Sequence, residues 1–261
     1  MIKAKKSLGQ NFLIDENVIK NISNIVDIKN KDVLEIGPGT GNLTSALLKK
    51  KPSKVIVIEK DNKLAAFLKE KFKNQIIILN KDVLDVDEKS LNREKLIVFG
   101  NLPYNISTEI LCKWILNLKE NYWFDALILM FQKEVADRII SKFNTKDYGR
   151  LSIISNWKLE IKKICDVKST CFFPKPKIDS SILYFKPLKK FYPLKNPKNL
   201  EKITRTFFMH KRKMLKKPYY LLFKDNLSIA EKLDIKLNLR PQNINFETYY
   251  KLADEYEKLR S

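Results

Sequence analysis

The chain has 261 residues, of which 44% are hydrophobic, so it is long enough for one large domain or for a moderate domain and a smaller one. Lys and Arg outnumber Asp and Glu by 51 to 30, which gives a formal net charge of +21. This excess favours a polyanionic partner, either nucleic acid or an anionic membrane surface. Without an apolar run of about 18 residues or the apolar region of a signal peptide, we expect no membrane span and no secretion.

The few cysteines and the single histidine predict neither disulfides nor a metal centre. Cys112, Cys165 and Cys171 form no CxxC pair, and this sparse, odd count is typical of the reducing cytoplasm. His210 is the only histidine, so a zinc site is not expected.

Short apolar runs alternate with amphipathic stretches from the N-terminus to about residue 187. The predicted strands are Asp32–Gly37, Lys54–Glu59, Gln75–Leu79, Leu96–Phe99, Ala126–Phe131 and Ser180–Phe185. The predicted helices between them are Asn42–Lys50, Asp61–Phe72 and Thr108–Leu118. This alternation predicts an α/β fold in which a parallel sheet carries helices on both faces.

The character of the sequence changes after Pro187. Pro193 and Pro197 mark a connecting segment. Beyond it the pattern is helical only, at Leu200–Met209, Pro218–Phe223, Ile229–Leu233 and Phe246–Leu259. We therefore expect two domains, residues 1–187 and 188–261, the second small and all-helical.

A glycine-rich turn follows the first predicted strand, in the segment EIGPGTG (Glu35–Gly41). Gly37 and Gly39 allow backbone amides to approach a ligand at the start of the next helix. The dinucleotide fingerprint needs a third glycine where this chain has Asn42, which argues against NAD. Glu59 ends the next strand, where a carboxylate can accept hydrogen bonds from ribose hydroxyls. The alternative is a tight strand–helix turn without a ligand.

Asp82 follows the third predicted strand, in the sequence NKDVL. A carboxylate at this position can accept a hydrogen bond from the amine of an adenine ring. The alternative role, and the commoner one for an isolated Asp after a strand, is to cap a helix or turn. Asp82 is the third candidate in a series, since it follows the glycine-rich turn and Glu59 at the ends of successive predicted strands. This series favours the ligand role.

The segment GNLPYN (Gly100–Asn105) directly follows the fourth predicted strand, where ligand chemistry is usual in such sheets. An exocyclic adenine amine is a poor nucleophile because its lone pair is delocalised into the ring. The side-chain oxygen of Asn101 and the backbone carbonyl of Leu102 or Pro103 can accept its two N–H groups and draw the nitrogen toward tetrahedral geometry. Tyr104 offers a face on which a base can stack. The alternative is an ordinary turn, since Asn and Pro are turn residues.

Five motifs occur in order between about residues 5 and 185. They are SLGQNFLID (Ser7–Asp15), EIGPGTG (Glu35–Gly41), NLPYNIST (Asn101–Thr108), FQKEVADR (Phe131–Arg138) and FFPKPKIDS (Phe172–Ser180). Together they resemble the ribosomal RNA adenine N6-dimethyltransferases of the kasugamycin-sensitivity type. The resemblance implies a Rossmann-like class I S-adenosylmethionine methyltransferase fold with a small helical C-terminal domain.

The resemblance also implies roles for individual residues. Those expected to bind S-adenosylmethionine are Asn11, Leu13, Gly37, Gly39, Glu59 for the ribose, Asp82 for the adenine, and Asn101. Those expected at the target base are Asn101, Pro103, Tyr104 and an aromatic of the FFPKPKIDS motif, Phe173 rather than Phe172. For the isolated Phe pair the alternative is core packing, but the flanking prolines favour a rigid loop. No metal is implied.

The implied reaction places two methyl groups on each of two adjacent adenosines in the 3′-terminal hairpin of small-subunit (16S) ribosomal RNA, during subunit maturation in the cytoplasm. We expect the chain to act as a monomer on immature subunits, away from membranes. Two alternatives remain open. One is a sister enzyme that methylates large-subunit RNA, as macrolide-resistance enzymes do. The other is a binding or assembly factor on an inherited fold.

A basic segment, Lys186–Lys217, contains twelve Lys or Arg residues and one acidic residue, Glu201. Aromatic residues interleave with the charges, at Phe191, Tyr192, Phe207 and Phe208. The plain interpretation is a solvated helix face. We favour binding to RNA phosphates, with Met209–Lys217 as the strongest candidate.

Overall fold

A computed structural model describes residues 4–5, 9–119 and 121–260, so the first two residues of the motif Ser7–Asp15 lie outside the described residues. The strands are β1 (Phe12–Leu13), β2 (Asp32–Ile36), β3 (Lys54–Ile58), β4 (Ile77–Leu79), β5 (Leu96–Asn101), β6 (Phe124–Gln132), β7 (Leu159–Val167), β8 (Phe172–Phe173) and β9 (Ser180–Pro187). The helices are α1 (Glu16–Ser23), α2 (Asn42–Leu48), α3 (Asn62–Phe72), α4 (Ser107–Asn117), α5 (Lys133–Ile139), α6 (Arg150–Lys158), α7 (Pro197–Phe208), α8 (Lys216–Phe223), α9 (Ser228–Lys232) and α10 (Phe246–Lys258).

Seven strands form one sheet in the order β4-β3-β2-β5-β6-β9-β7. The five strands from β4 to β6 pair in parallel, as the strand–helix alternation predicts, and β9 pairs antiparallel with β6. The central strands are continuous apolar runs, and Val33, Val57 and Val98 are fully buried. Such runs are typical of strands that are covered on both faces.

The register of the central strands brings the glycine-rich turn and the NLPY motif together. Ile36 at the end of β2 pairs with Gly100 near the end of β5. Since parallel strands end at the same edge of a sheet, the segments that follow them become neighbours. A Cβ added to Gly37 would lie 3.5 Å from the carbonyl oxygen of Asn101.

Two differences from the sequence prediction concern strands of the main sheet. The strand predicted at Gln75–Leu79 begins only at Ile77, because a short 3-10 turn, Lys73–Gln75, follows α3. The edge strand β7 has no counterpart in the prediction. Within β7, the apolar Ile164 is exposed and the charged Lys163 is half-buried. Its apolar residues therefore do not mark the buried face of the strand.

A separate two-stranded sheet joins the SLGQNFLID motif (Ser7–Asp15), called the N-terminal motif below, to the FFPKPKIDS motif. β1 and β8 pair antiparallel, with Phe12 opposite Phe173 and Leu13 opposite Phe172. The amide of Ile14 extends this pairing by donating to the carbonyl of Cys171 at 2.9 Å.

The chain divides into two compact units. The first comprises residues 1–110, 119–136 and 161–187, and the second comprises residues 111–118, 137–160 and 188–261. The last segment of the second unit begins at Leu188, where the sequence places the domain boundary, but two earlier segments also belong to this unit. The second unit has an aromatic core of fully buried side chains: Tyr148, Trp157, Phe207, Tyr219 and Tyr249.

Candidate active site

Three glycines between β2 and α2 adopt positive φ angles, 65° at Gly37, 57° at Gly39 and 74° at Gly41. Residues with a Cβ rarely adopt this conformation. At Gly41 an added Cβ would lie 2.5 Å from the ring of Phe72, so this glycine permits the close packing of α2 against α3. At Gly39 the added atom would lie 2.8 Å from the ring of Phe12. Gly39 therefore allows the N-terminal motif to lie directly against the turn.

One cavity of the first unit, at the carboxyl ends of the sheet strands, brings nearly all of the candidate residues together. Its lining includes Asn11, Leu13, Gly37, Gly39, Glu59, Asp82, Asn101, Pro103 and Tyr104. Phe173 does not line the cavity. It pairs with Phe12, which does.

The Glu59 carboxylate is buried at the end of β3 and held by backbone amides. Its Oε2 accepts from the amide of Gly39 at 3.3 Å, and its Oε1 accepts from the amide of Asp61 at 2.9 Å. Each carboxylate oxygen has a second lone pair, so both can also accept from a ligand. Burial is the largest influence on this group and raises the pKa of Glu59, although the two amides act in the opposite direction.

A second buried acid, Glu35, also lines the cavity. Its Oε2 accepts a 2.6 Å hydrogen bond from the hydroxyl of Thr44. Burial raises the pKa of Glu35 to about 7, and the neighbouring charge of Glu59 contributes in the same direction. The cavity thus contains two carboxyl groups that are costly to ionise in the absence of a compensating positive charge.

Asp82 combines the two roles that the sequence leaves open. Its Oδ1 accepts from the amide of Leu84 at 3.0 Å and caps a short 3-10 turn. Its Oδ2 lies 2.5 Å from the ammonium of Lys60, and both side chains line the cavity. The capping alternative is therefore correct as local structure, and the same carboxylate faces the candidate cofactor site.

The side-chain amide of Asn101 has a defined orientation. Its Nδ2 donates to the backbone carbonyl of Asn11 at 3.0 Å. A carbonyl can only accept, so the nitrogen must face Asn11 and the oxygen must face away from it. This leaves Oδ1 as an acceptor, the role that the chemistry of an adenine amine requires.

Two backbone carbonyls follow Asn101, and the second is engaged in its own turn. The carbonyl of Pro103 accepts from the amide of Ile106 at 3.1 Å. Leu102, whose side chain is buried in the first unit, precedes that turn. We therefore favour the Leu102 carbonyl as the second acceptor for an amine.

The N-terminal motif is bonded to three of the turns around the cavity. The side chain of Asn42 donates to the Leu13 carbonyl at 2.8 Å, and Gln10 donates to Asp61 at 3.2 Å. Just before the motif, the ammonium of Lys5 lies 2.8 Å from the same Asp61 carboxylate. Together with the bond from Asn101 to Asn11, these contacts tie the motif to the turns that follow β2, β3 and β5.

The two phenylalanines of the FFPKPKIDS motif have different environments. Phe172 is 2% exposed and belongs to the core of the first unit, whereas Phe173 is 61% exposed. Of the pair, only Phe173 presents a ring that a ligand can reach, as the sequence interpretation requires.

A family model described as ribosomal RNA adenine dimethylase matches residues 1–258 of this chain. The chain belongs to this family. The ribosomal RNA small subunit methyltransferase A of Pelagibacter ubique (strain HTCC1062) is 63% identical over 259 residues, which cover 99% of each chain. The protein of the same name from Mycoplasma mobile is 40% identical over 248 residues, which cover 94% of this chain and 95% of the relative.

Solved structures place this adenine dimethylase in the class I S-adenosylmethionine methyltransferase fold, with helical additions. A dimethyladenosine transferase from Plasmodium falciparum superposes with a TM-score of 0.81 and 27% identity, covering 95% of this chain and 98% of the other. The 23S rRNA methyltransferase ErmE has a TM-score of 0.67 and 23% identity, covering 96% and 100%. The second likeness concerns the fold alone.

Several residues of the dimethylase cavity were not among the sequence candidates: Gln10, Phe12, Glu35 and Lys60. Gln10 and Phe12 lie inside the GQNFL motif, so their position beside Asn11 and Leu13 was a usable signal. Lys60 directly follows Glu59, but nothing in the sequence indicates that its ammonium reaches Asp82.

Within residues 4–5, 9–119 and 121–260, no group of three or more His, Cys, Asp or Glu residues is placed to hold a metal ion. Among the helices of that described part of the chain, none is long and apolar enough to cross a membrane.

Proposed function

We propose that this dimethylase transfers methyl groups from S-adenosylmethionine to the N6 amines of two adjacent adenosines in the 3′-terminal hairpin of small-subunit ribosomal RNA. It acts as a monomer in the cytoplasm, on subunits that are still maturing. The relatives named ribosomal RNA small subunit methyltransferase A support the choice of subunit. The observation that carries the chemistry is the orientation of the Asn101 amide, whose oxygen is left to accept from an amine.

The charge and shape of the cavity fit S-adenosylmethionine. Gly37 and Gly39 present backbone without side chains, and Glu59 offers paired acceptors of the kind that ribose hydroxyls need. Asp82 faces the same space and is assigned to the adenine amine, while Asn11 and Leu13 cover the site. The cofactor carries a sulfonium, and its positive charge would favour the ionised forms of the buried acids Glu35 and Glu59.

When bound, S-adenosylmethionine supplies the methyl group and keeps the electron pair of the broken carbon–sulfur bond on sulfur. Asn101 Oδ1 and the Leu102 carbonyl accept the two N–H groups of the adenine amine and so localise its lone pair. The nitrogen forms the bond to the methyl carbon and releases one proton. These acceptors align the reacting atoms, and alignment of this kind lowers the barrier by roughly 7–11 kcal/mol. The proposed mechanism therefore needs no strong base.

The target base must leave its helix to reach the cavity, which costs a few kcal/mol. Tyr104, in the NLPY turn, and the exposed ring of Phe173 are the proposed stacking partners. Stacking of a base on an aromatic side chain contributes about 1–3 kcal/mol. Two such contacts offset the cost of extrusion, and Pro103 stiffens the turn between Asn101 and Tyr104.

The basic segment Lys186–Lys217 is proposed to bind RNA phosphates. Eleven of its twelve basic side chains are exposed, and the exception is the half-buried Lys211. The interleaved aromatics serve a different purpose. Phe207 is fully buried, and Phe191 packs edge-on against Trp157 within the second unit. The segment therefore offers charge to the RNA backbone, and its rings stabilise the unit that carries the charge.

The deciding experiment incubates the protein with labelled S-adenosylmethionine and immature small subunits that lack the modification. Large-subunit RNA is tested in parallel, and digestion of each RNA identifies the methylated nucleosides. We expect N6,N6-dimethyladenosine at two adjacent positions of the small-subunit RNA only.

Two other results would replace the proposal. Label in large-subunit RNA would identify a sister enzyme of the other subunit. Tight subunit binding without label in either RNA would identify a binding factor that has kept the methyltransferase fold.

A further inference from the structure

The first residue of β9, Ser180, is fully buried, and its hydroxyl lies 2.6 Å from the phenolic oxygen of Tyr104. The backbone of Ser180 is fixed by the sheet, where it pairs with Gln132 at the end of β6. The hydroxyl of Tyr104 is thereby attached to a rigid strand of the first unit. The ring of Tyr104 has two torsions, and an anchor at its far end restricts both of them.

The preceding residue, Asp179, holds the turn that leads to the other aromatic of the proposed base site. Its Oδ1 accepts from the amide of Ser169 at 2.8 Å, and its carbonyl accepts from the amide of Lys133 at 2.9 Å. Ser169 begins the short 3-10 turn that leads directly into Phe172 and Phe173. Two consecutive residues, Asp179 just before β9 and Ser180 at its start, thus bond to the turn that leads to Phe173 and to the hydroxyl of Tyr104.

We propose that Ser180 is a positioning residue that aligns Tyr104 for the second methyl transfer to each adenosine, with Asp179 fixing the opposite aromatic. This inference rests on the proposed function. Tyr104 touches the base, whereas Ser180 acts only through Tyr104.

The two transfers differ in how the base is held. An unmodified adenine amine has two N–H groups, which Asn101 and the Leu102 carbonyl can both bind. After the first transfer only one N–H remains, so one of these hydrogen bonds is lost. The aromatic faces then carry a larger share of the alignment, and the second transfer is more sensitive to the orientation of Tyr104 than the first.

The test measures the rates of the first and second transfers separately, in single turnovers on immature small subunits, from the amounts of monomethyl and dimethyl adenosine. We expect Ser180→Ala to slow the second transfer about tenfold, the effect of losing one hydrogen bond at an aligned group. The first transfer should slow by a smaller factor, so that monomethyl adenosine accumulates.

Ser181→Ala is the matched control. Ser181 is also fully buried on β9, but its hydroxyl donates to Asp166 at 2.6 Å instead of bonding to Tyr104. Ser181→Ala therefore also removes one buried hydroxyl from β9. If both alanine variants change the ratio of monomethyl to dimethyl product equally, Ser180 is merely structural and the proposal is wrong.

A second arm removes the same hydrogen bond from the other side. Tyr104→Phe keeps the ring and should reproduce the effect of Ser180→Ala, and the double variant should be no slower than Tyr104→Phe. If the rate losses of the two single variants multiply in the double variant, Ser180 does not act through Tyr104. Tyr104→Phe also keeps the proposal testable if Ser180→Ala fails to fold, since an unchanged product ratio in Tyr104→Phe alone overturns it.

Asp179 has its own pair of variants. Asp179→Asn keeps an oxygen for the amide of Ser169 and should retain the product ratio of the unmodified chain, whereas Asp179→Ala should accumulate monomethyl product. Equal ratios in both variants would overturn the role of Asp179. Failure of the proposed function itself gives a different result, because the unmodified chain would then form no dimethyl adenosine at all.

Discussion

Asn101 donates a 3.0 Å hydrogen bond from its Nδ2 to the backbone carbonyl of Asn11. This contact links the NLPY turn at the end of β5 with the N-terminal motif, which lie 90 residues apart in the chain. It has a consequence for chemistry, because it determines which end of the amide faces away from Asn11. Under the proposed mechanism it would also couple the two ligands, since a shift of the N-terminal motif over the cofactor would alter the acceptor for the target amine.

Asn101→Ala should abolish most methylation and leave RNA affinity nearly intact. Loss of one preorganised hydrogen-bonding group at a reacting atom costs on the order of 100-fold in rate, whereas RNA affinity depends mainly on phosphate contacts. Methyl incorporation and subunit binding are measured on the same preparation. Asn101→Asp, which keeps an acceptor oxygen but loses the donor to Asn11, should be intermediate in rate. An equal loss of rate and RNA affinity in Asn101→Ala would contradict the assigned role.

Gly39→Ala should weaken the binding of S-adenosylmethionine by about tenfold or more. The positive φ disfavours Ala by roughly 1–2 kcal/mol, and the new Cβ would lie 2.8 Å from the ring of Phe12. Phe12 must then move away from the cavity that it lines. Titration calorimetry with the cofactor measures the effect.

Gly149→Ala provides the comparison for that measurement. Its φ is −179°, and an added Cβ would meet its nearest atoms, in Phe208, at an ordinary 3.7 Å. We expect cofactor affinity to be unchanged in this variant. Equal affinities in the Gly39 and Gly149 variants would show that the contact between Gly39 and Phe12 does not shape the cofactor site.

The free energy of unfolding should fall as pH rises from about 4.5 to about 7, through the protonation of Glu35. In this window folded Glu35 keeps a proton that the unfolded chain releases, because burial raises its pKa from 4.5 to about 7. The unfolded state then binds fewer protons, so stability decreases with pH and this contribution levels off above about pH 7. The total effect is on the order of 3 kcal/mol.

Glu35→Gln isolates this contribution. Urea unfolding of both proteins at several pH values should show a steeper decline for the unmodified chain. Nearby Glu59 and Lys71 are present in both proteins. Thr44→Val removes the hydroxyl that lowers the pKa of Glu35, so it should extend the decline to higher pH. Parallel profiles for the unmodified chain and Glu35→Gln would show that Glu35 is ionised in the fold throughout.

Much of the fold follows from local patterns in the sequence. The strands β2, β3, β5 and β6 are uninterrupted apolar runs that end in recognisable turns, so their existence and parallel pairing were predictable. The edge strand β7 was not, because its exposure pattern opposes its hydrophobic pattern at Lys163 and Ile164. The pair β1 and β8 was also missed, since two-residue strands depend on a partner about 160 residues away.

The residues of the candidate site were likewise predictable only in part. Residues at the ends of strands, such as Glu59 and Asn101, were found because a parallel sheet brings its carboxyl ends together. The contact of Lys60 with Asp82 and that of Ser180 with Tyr104 were not found, because they depend on side-chain directions that spacing does not specify. The roles assigned to the individual residues stay predictions until the variants are measured.

The turn between α7 and α8 should provide salt-dependent RNA affinity through Arg212 and Lys213, but not through Lys211. Arg212 and Lys213 are exposed. The ammonium of Lys211 donates to the carbonyl of Lys146 at 2.5 Å within the second unit, and burial lowers the pKa of Lys211. Arg212→Glu with Lys213→Glu should weaken subunit binding and reduce the slope of log affinity against log salt by about 1 for each lost phosphate contact.

Two comparison variants make that result specific. Lys211→Met should leave the salt slope unchanged, since Lys211 is half-buried and its ammonium already donates to the Lys146 carbonyl. Lys29→Glu with Lys49→Glu changes the net charge by the same amount at exposed positions of the first unit, and should lower affinity only slightly at low salt. Binding is measured at four or so salt concentrations for each variant. If the Arg212 and Lys213 variant binds with the slope of the unmodified chain, this turn does not contact phosphates and the RNA surface lies elsewhere.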